Sequence, residues 1–155
     1  MLYPLSLLAL LCAAGHAQGA EPLSAGKVLR DCKAACPEMV VLPAGTFTMG
    51  TPDDEMGRQP DEGPQHPVTF AKPFAVSRYQ VTAGEWAAYL RESGAKIADG
   101  DTRPGRECKA SKPRYPQGPR QPAVCMSWHD VQDYAEWLSK KTGKRYSMIS
   151  EAQRE

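Results

Sequence analysis

Hydrophobic residues at helical spacing mark one segment in the middle of the chain. Thr82 and Glu85 have the spacing of a capping box, in which each side chain bonds the backbone N–H of the other residue. The apolar residues that follow recur at helical intervals and are Trp86, Tyr89 and Leu90. Gly94 is typical of the position just after a helix. The pattern predicts a helix that begins after Thr82 and ends before Gly94.

A second helix is predicted closer to the C-terminal end of the sequence. Ser127 and Asp130 repeat the capping-box spacing, and Gly143 is the stop signal. The apolar stripe between them consists of Val131, Tyr134, Ala135 and Leu138. Ser150 and Gln153 form a third capping box, but the sequence given ends at Glu155. We therefore expect a third helix to start here, and the chain to be the front half of a longer domain.

Short strands are predicted before the first helix. Residues 39–42 form an apolar run, residues 43–45 suit a turn, and residues 46–49 alternate between polar and apolar. This pattern predicts two short strands around a turn. A third strand is predicted over residues 68–81, with Pro73 interrupting it.

Composition and charge narrow the class of protein. Of the 155 residues, 41% are hydrophobic and 24% are charged, and the formal net charge is only +1. This near-balance excludes electrostatically driven binding to nucleic acid or to an anionic membrane as the expected function. Fourteen prolines and 13 glycines favour a fold of short strands and many loops.

The N-terminal segment has the features of a secretory signal peptide. Its apolar run over residues 5–14 is shorter than the ~20 residues of a membrane-spanning helix, and small residues follow. Cleavage is predicted after Ala17, with Ala20 as an alternative site and an uncleaved anchor as the other interpretation. We expect residues 1–17 to be the signal peptide, residues 18–37 to be an N-terminal extension, and the mature protein to be secreted or periplasmic and free of the membrane.

Removal of the signal peptide leaves four cysteines: Cys32, Cys36, Cys108 and Cys125. An even number in an exported protein indicates disulfides. Three pairings are possible, and the pairing of sequence neighbours, 32 with 36 and 108 with 125, is favoured. Zinc is the alternative, but no second pair of ligands at zinc-finger spacing follows.

Other candidate site residues have structural interpretations that are favoured over functional ones. The carboxylates at 53–55 and 61–62 suit calcium chemically, but their spacing does not match an EF-hand loop, so a solvated acidic loop is expected. His66 and His129 have no histidine at metal-ligand spacing and are expected at the surface. The tryptophans Trp86, Trp128 and Trp137 are expected in the core rather than in a recognition groove. The basic loop over residues 103–120 is expected to be solvated.

Four stretches in a fixed order resemble the formylglycine-generating enzyme family, also called sulfatase-modifying factors. They are MVVLPAGTFTMGTP, PFAVSRYQVTAGEWAAYL, QPAVCMSWHDVQDYAEWLSKKTGKRY and SEAQRE. The resemblance covers residues 38–155. It implies an irregular α+β fold of the C-type-lectin-like kind, with two main helices, short strands and long loops.

The resemblance also implies a chemistry. Enzymes of this family use oxygen to convert a cysteine of a sulfatase to formylglycine, so a sulfatase or another protein substrate is the implied partner. A copper-binding cysteine pair, and most calcium sites, lie in the later half of the family domain. The resemblance therefore implies copper and calcium for a full-length enzyme and assigns no catalytic, cofactor or metal residue to this chain. The alternatives are a non-catalytic, lectin-like binding or scaffold module of the cell envelope, and the product of a decayed gene.

Overall fold

The computed structural model describes residues 24–96, 108 and 115–155, and within these ranges it combines short strands with two main helices. The strands in chain order are β1 (Val28–Leu29), β2 (Met39–Leu42), β3 (Gly45–Met49), β4 (His66–Phe70) and β5 (Phe74–Ser77). The helices are α1 (Ala83–Ser93), α2 (Trp128–Thr142) and the short α3 (Glu151–Arg154), with a 3-10 turn at Pro60–Glu62. The predicted signal peptide, residues 1–17, lies outside the described residues. None of the described helices has the length and apolar character needed to cross a membrane.

Both main helices begin and end where the sequence predicts. The hydroxyl of Thr82 accepts the backbone N–H of Glu85, and the Glu85 carboxylate accepts the backbone N–H of Thr82 in return. Ser127 and Asp130 do the same for α2. Gly94 and Gly143 both have φ of 70°, a left-handed conformation in which a side chain is strained.

The predicted strands exist, but they are distributed over two antiparallel sheets. β2 lies between β1 and β5, with Val40 opposite Val76, whereas β3 pairs with β4, with Phe47 opposite Val68. The strands around the turn at residues 43–45 therefore belong to different sheets. The strand predicted over residues 68–81 is divided near Pro73, which lacks a backbone N–H for a ladder, and its two parts also join different sheets.

The N-terminal segment before β2 is part of the packed structure. Two residues of it form β1, and Gly26 donates its backbone N–H to the carbonyl of Val41 at 2.8 Å. Cys36, from the same segment, is fully buried. A two-residue strand is too short to show periodicity, which explains why β1 was not predicted.

The main core lies between α1, α2 and the N-terminal segment. Its buried members are Cys36, Trp86, Tyr89, Tyr134 and Leu138. Tyr89 meets Tyr134 edge to face at 5.6 Å, and Trp86 lies at the same centroid distance from Tyr134. Such aromatic contacts stabilise beyond the area they bury. The two helices are therefore fixed to each other by aromatic side chains.

Candidate functional site

All four cysteines that were predicted to form disulfides do so. The bonds join Cys32 to Cys36 and Cys108 to Cys125, with Cα–Cα distances of 5.5 and 5.1 Å. These are the favoured pairs of the sequence analysis. Because each sulfur is bonded to another sulfur, none of the four is available as a thiolate nucleophile or metal ligand.

The acidic loop is solvated, and its carboxylates contact neighbours in the loop. The side chain of Asp53 is 96% exposed and lies 3.3 Å from the guanidinium of Arg58. Glu62 accepts the backbone N–H of Gln59 and the hydroxyl of Thr51. Within the described residues, no group of three histidine, cysteine, aspartate or glutamate side chains is placed to hold a metal ion. The described part of the chain therefore does not fit the copper or calcium that the family resemblance implies.

The two histidines among the described residues lie at the surface, as predicted. His66 is exposed, and its Nδ1 lies 3.0 Å from the carbonyl oxygen of Pro64. His129 is exposed in the first turn of α2, with its ring against Trp128. Neither contact brings a histidine to another titratable group.

The prediction that all three tryptophans lie in the core is wrong for one of them. Trp86 is buried and Trp137 packs partly buried against the same cluster, but Trp128 is 56% exposed. Trp128 is the first residue of α2, and the apolar stripe of that helix starts only at Val131. Trp128 directly follows the N-cap Ser127 and lies outside the apolar stripe, which explains its exposure.

Of the basic loop, the structure describes Cys108 and the end from Tyr115 onward; the rest of residues 103–114 lies outside the description. The described end fixes the start of α1. The N–H groups of Ala83 and Gly84 donate to the carbonyls of Gln121 and Pro119, both at 2.8 Å. A Cβ at position 84 would lie 2.8 Å from the Pro119 oxygen, so this approach requires glycine.

A groove runs between the N-terminal segment, α1 and the loop that precedes α2. Its volume is about 930 Å³, and its charged and aromatic lining consists of Arg30, Glu38, Tyr79, Glu85, Arg91, Glu92 and Arg120. Sequence reasoning missed this groove. Its residues are spread over residues 30–122, and no local motif connects them.

A carboxylate whose side chain is 8% exposed, that of Asp31, connects the N-terminal segment to the end of α2. Asp31 accepts hydrogen bonds from the Lys144 ammonium at 2.6 Å and from the Tyr146 hydroxyl at 2.5 Å. Desolvation raises the pKa of Asp31, but these two bonds outweigh it and leave the pKa below its ordinary value. Desolvation and the bond to Asp31 raise the pKa of the Tyr146 hydroxyl. This arrangement holds the two ends of the described fold together.

The fold and its relatives define the class of this protein. A family profile described as "Sulfatase-modifying factor enzyme 1-like domain" matches residues 24–155. The solved "Structure of PvdO from Pseudomonas aeruginosa" is similar, with 76% sequence identity and a TM-score of 0.80, over 84% of this chain and 50% of that chain. The mixed architecture of short strands and two main helices is therefore that of a known domain.

Curated relatives of this chain carry the name of the same family. A formylglycine-generating enzyme of Thermomonospora curvata is 29% identical over 140 residues, covering 66% of this chain and 44% of the relative. The enzyme of the same name from Mus musculus is 28% identical, covering 69% of this chain and 37% of that enzyme. The chain thus spans half or less of the length of these relatives. It belongs to the sulfatase-modifying factor family.

Proposed function

We propose that this chain forms the N-terminal part of a formylglycine-generating-enzyme-like domain. In the proposed full-length form, the protein is an oxygen-dependent oxidoreductase that converts a cysteine of a protein, or a related substrate, to an aldehyde. The observation that supports this most is the family match over residues 24–155, joined to curated relatives that carry that enzyme name.

The part proposed for this chain is structural. Its two capped helices, its aromatic core and its two disulfides form a platform, and the described residues carry neither a free thiol nor a metal cluster. The oxidation chemistry is accordingly assigned to residues beyond this chain. The described residues bring together no cluster of three metal-ligating side chains, so we propose that copper and calcium are bound elsewhere in the full-length protein.

We place the proposed activity in an oxidising compartment outside the cytoplasm. Two disulfides in a chain of this size are typical of exported proteins, because cytosolic thiol systems keep cysteines reduced. Cell fractionation with an antibody to the protein tests this placement, and a cytosolic, reduced protein would contradict it.

The activity is tested on the chain extended by the sequence that follows residue 155 in its source gene. The purified product is incubated under oxygen with a sulfatase-derived peptide that contains one cysteine, and the aldehyde is detected by mass and by a hydroxylamine probe. Aldehyde formation is expected under oxygen, and none is expected without oxygen or with serine in place of the peptide cysteine. A folded, extended protein that forms no aldehyde would overturn the proposal.

A further inference from the structure

The sheet of β3 and β4 has one polar face and one apolar face. Residues opposite each other in an antiparallel pair share a face, and side chains alternate between the faces along each strand. The polar face is exposed, and the hydroxyls of Thr46 and Thr69 share a hydrogen bond on it. The apolar face is formed by four half-buried side chains, those of Phe47, Met49, Val68 and Phe70. This alternation is typical of a sheet that packs one face against other protein.

No helix in the described part of the chain packs extensively on this apolar face. None of its four residues belongs to the helical core or to the partly buried residues around that core. A ring contact reaches the face from β5, where Phe74 lies 4.8 Å from Phe70. A two-stranded sheet is at best marginally stable in water by itself. The apolar face therefore needs a cover that the described helices do not supply.

The last residue of the sequence lies at one end of the same sheet. The carboxylate of Glu155 accepts the backbone N–H of Gly50 at 2.8 Å, and Gly50 directly follows β3. The carbonyl of Gly50 accepts the side-chain amide of Gln65, the residue before β4, at 3.1 Å. Glu155 is thus fixed beside the end of the sheet at which Met49 contributes to the apolar face.

We propose that the apolar face of β3 and β4 is the docking surface for the segment that follows residue 155 in the proposed full-length protein. The inference rests on the proposed function, in which this chain is the N-terminal part of a longer domain. The relatives are at least twice as long as the part that this chain covers, so they contain enough sequence for such a cover. The four residues of the face carry no charge, so the docking segment presents apolar side chains to them.

Oxidation of methionines by dilute hydrogen peroxide, followed by peptide mass spectrometry, tests whether the face is covered. Met49 reports on the face, Met56 is 99% exposed and is the unprotected reference, and Met39 is 9% exposed in β2 and reports that the fold is intact. In the protein extended past residue 155, Met49 should oxidise at least about tenfold more slowly than in the 155-residue chain, because oxidation follows exposure. The rates at Met39 and Met56 should not change.

Two lysine substitutions in the extended protein test which face is covered. Val68→Lys places a charge on the apolar face and should restore the oxidation rate of Met49, since burial of an unpaired charge is unfavourable. Thr48→Lys, on the exposed opposite face, is the matched control and should leave Met49 protected. Protection of Met39 in both variants distinguishes release of the docking segment from global unfolding.

A photo-crosslinking residue at position 68 of the extended protein identifies what covers the face. Crosslinks to the sequence after residue 155 of the same molecule are expected, and none are expected from position 48. The proposal is overturned if Met49 oxidises as fast in the extended protein as in the shorter chain, if the two lysine variants behave alike, or if position 68 crosslinks to a second copy instead. Aldehyde formation without protection of Met49 refutes only the docking surface, whereas protection without aldehyde formation refutes only the oxidase activity.

Discussion

The helical region and the two-stranded sheet of this protein differ in how much apolar surface they bury. α1 and α2 each contribute three buried residues, whereas β3 and β4 contribute none and alternate between exposed and half-buried positions. A two-stranded sheet alone is marginally stable in water. Here β4 gains one contact with the rest of the fold through Phe70, whose ring lies 4.8 Å from that of Phe74.

This difference separates two sources of stability. The helical region depends on close packing between residues distant in sequence, and Cys36 brings the N-terminal segment into the same core. The sheet depends on its ladder and on cross-strand pairs such as Phe47 with Phe70, stacked at 6.0 Å. Substitutions of similar size should therefore cost much more in the first region than in the second.

The largest effect is expected from Leu138→Ala. Leu138 is 2% exposed in the helical core, and its truncation leaves a cavity, so the free energy of unfolding should fall by about 2–5 kcal/mol. Phe47→Ala in β3 is the comparison, with an expected loss of about 1 kcal/mol, because the ring is half-buried and has one stacked neighbour. Urea unfolding measures both. Equal losses would contradict the contrast between the two regions.

A smaller, pH-dependent loss is expected from Asp31→Asn. Folding lowers the pKa of Asp31 from its ordinary value of 3.8, so the charged carboxylate stabilises the fold at pH values above 3.8. This stabilisation is lost as the pH falls through the lower pKa of the folded state. The variant should be less stable than the wild type by about 1.5 kcal/mol at neutral pH, and the difference should shrink in acid.

Urea unfolding at neutral pH and below pH 3.8 measures this dependence. Asp54→Asn, in the exposed acidic loop, serves as the control and should unfold like the wild type at both. A loss from Asp31→Asn that is independent of pH would mean that the carboxylate acts through packing and not through its charge.

The two main helices could be predicted from the sequence because the residues that determine where a helix begins and ends are close together in the chain. The capping boxes at Thr82 and Ser127 and the glycines after each helix lie within a few residues of the boundaries they determine. The sheets were harder, because strand partners are set by tertiary packing. Nothing in residues 39–49 indicates that β2 pairs with β5 while β3 pairs with β4.

The candidate groove could not be predicted for a related reason. Glu38 meets Arg78 from 40 positions away, and Arg120 joins the groove only because the loop around Pro119 folds against the start of α1. Periodicity and spacing describe neighbours along the chain. They do not reveal which side chains remain unpaired once distant segments meet.

A third prediction concerns the polar atoms of the helical core. The hydroxyl of Tyr134 is buried and has no hydrogen-bond partner within the described part of the chain. Tyr134→Phe should therefore leave the free energy of unfolding unchanged or raise it by up to about 1 kcal/mol, since an unsatisfied buried group costs stability. Tyr146→Phe is the matched control and should destabilise, because it removes the hydrogen bond to Asp31. A loss from Tyr134→Phe as large as that from Tyr146→Phe would show that the Tyr134 hydroxyl is satisfied in the folded protein.

The smallest effect is expected in the two-stranded sheet. The hydroxyls of Thr46 and Thr69 share a hydrogen bond of 2.8 Å across β3 and β4, where both residues are exposed. Thr69→Val keeps the shape and the strand preference but removes this bond, so the expected loss is about 0.5 kcal/mol. Thr48→Val, on the same strand as Thr46 and opposite Pro67, is the control and should cost nothing. Thermal unfolding is precise enough if both variants are measured beside the wild type. A loss from Thr69→Val that approaches that of Leu138→Ala would mean that the sheet is fixed by its cross-strand pairs as firmly as the helices are by their core.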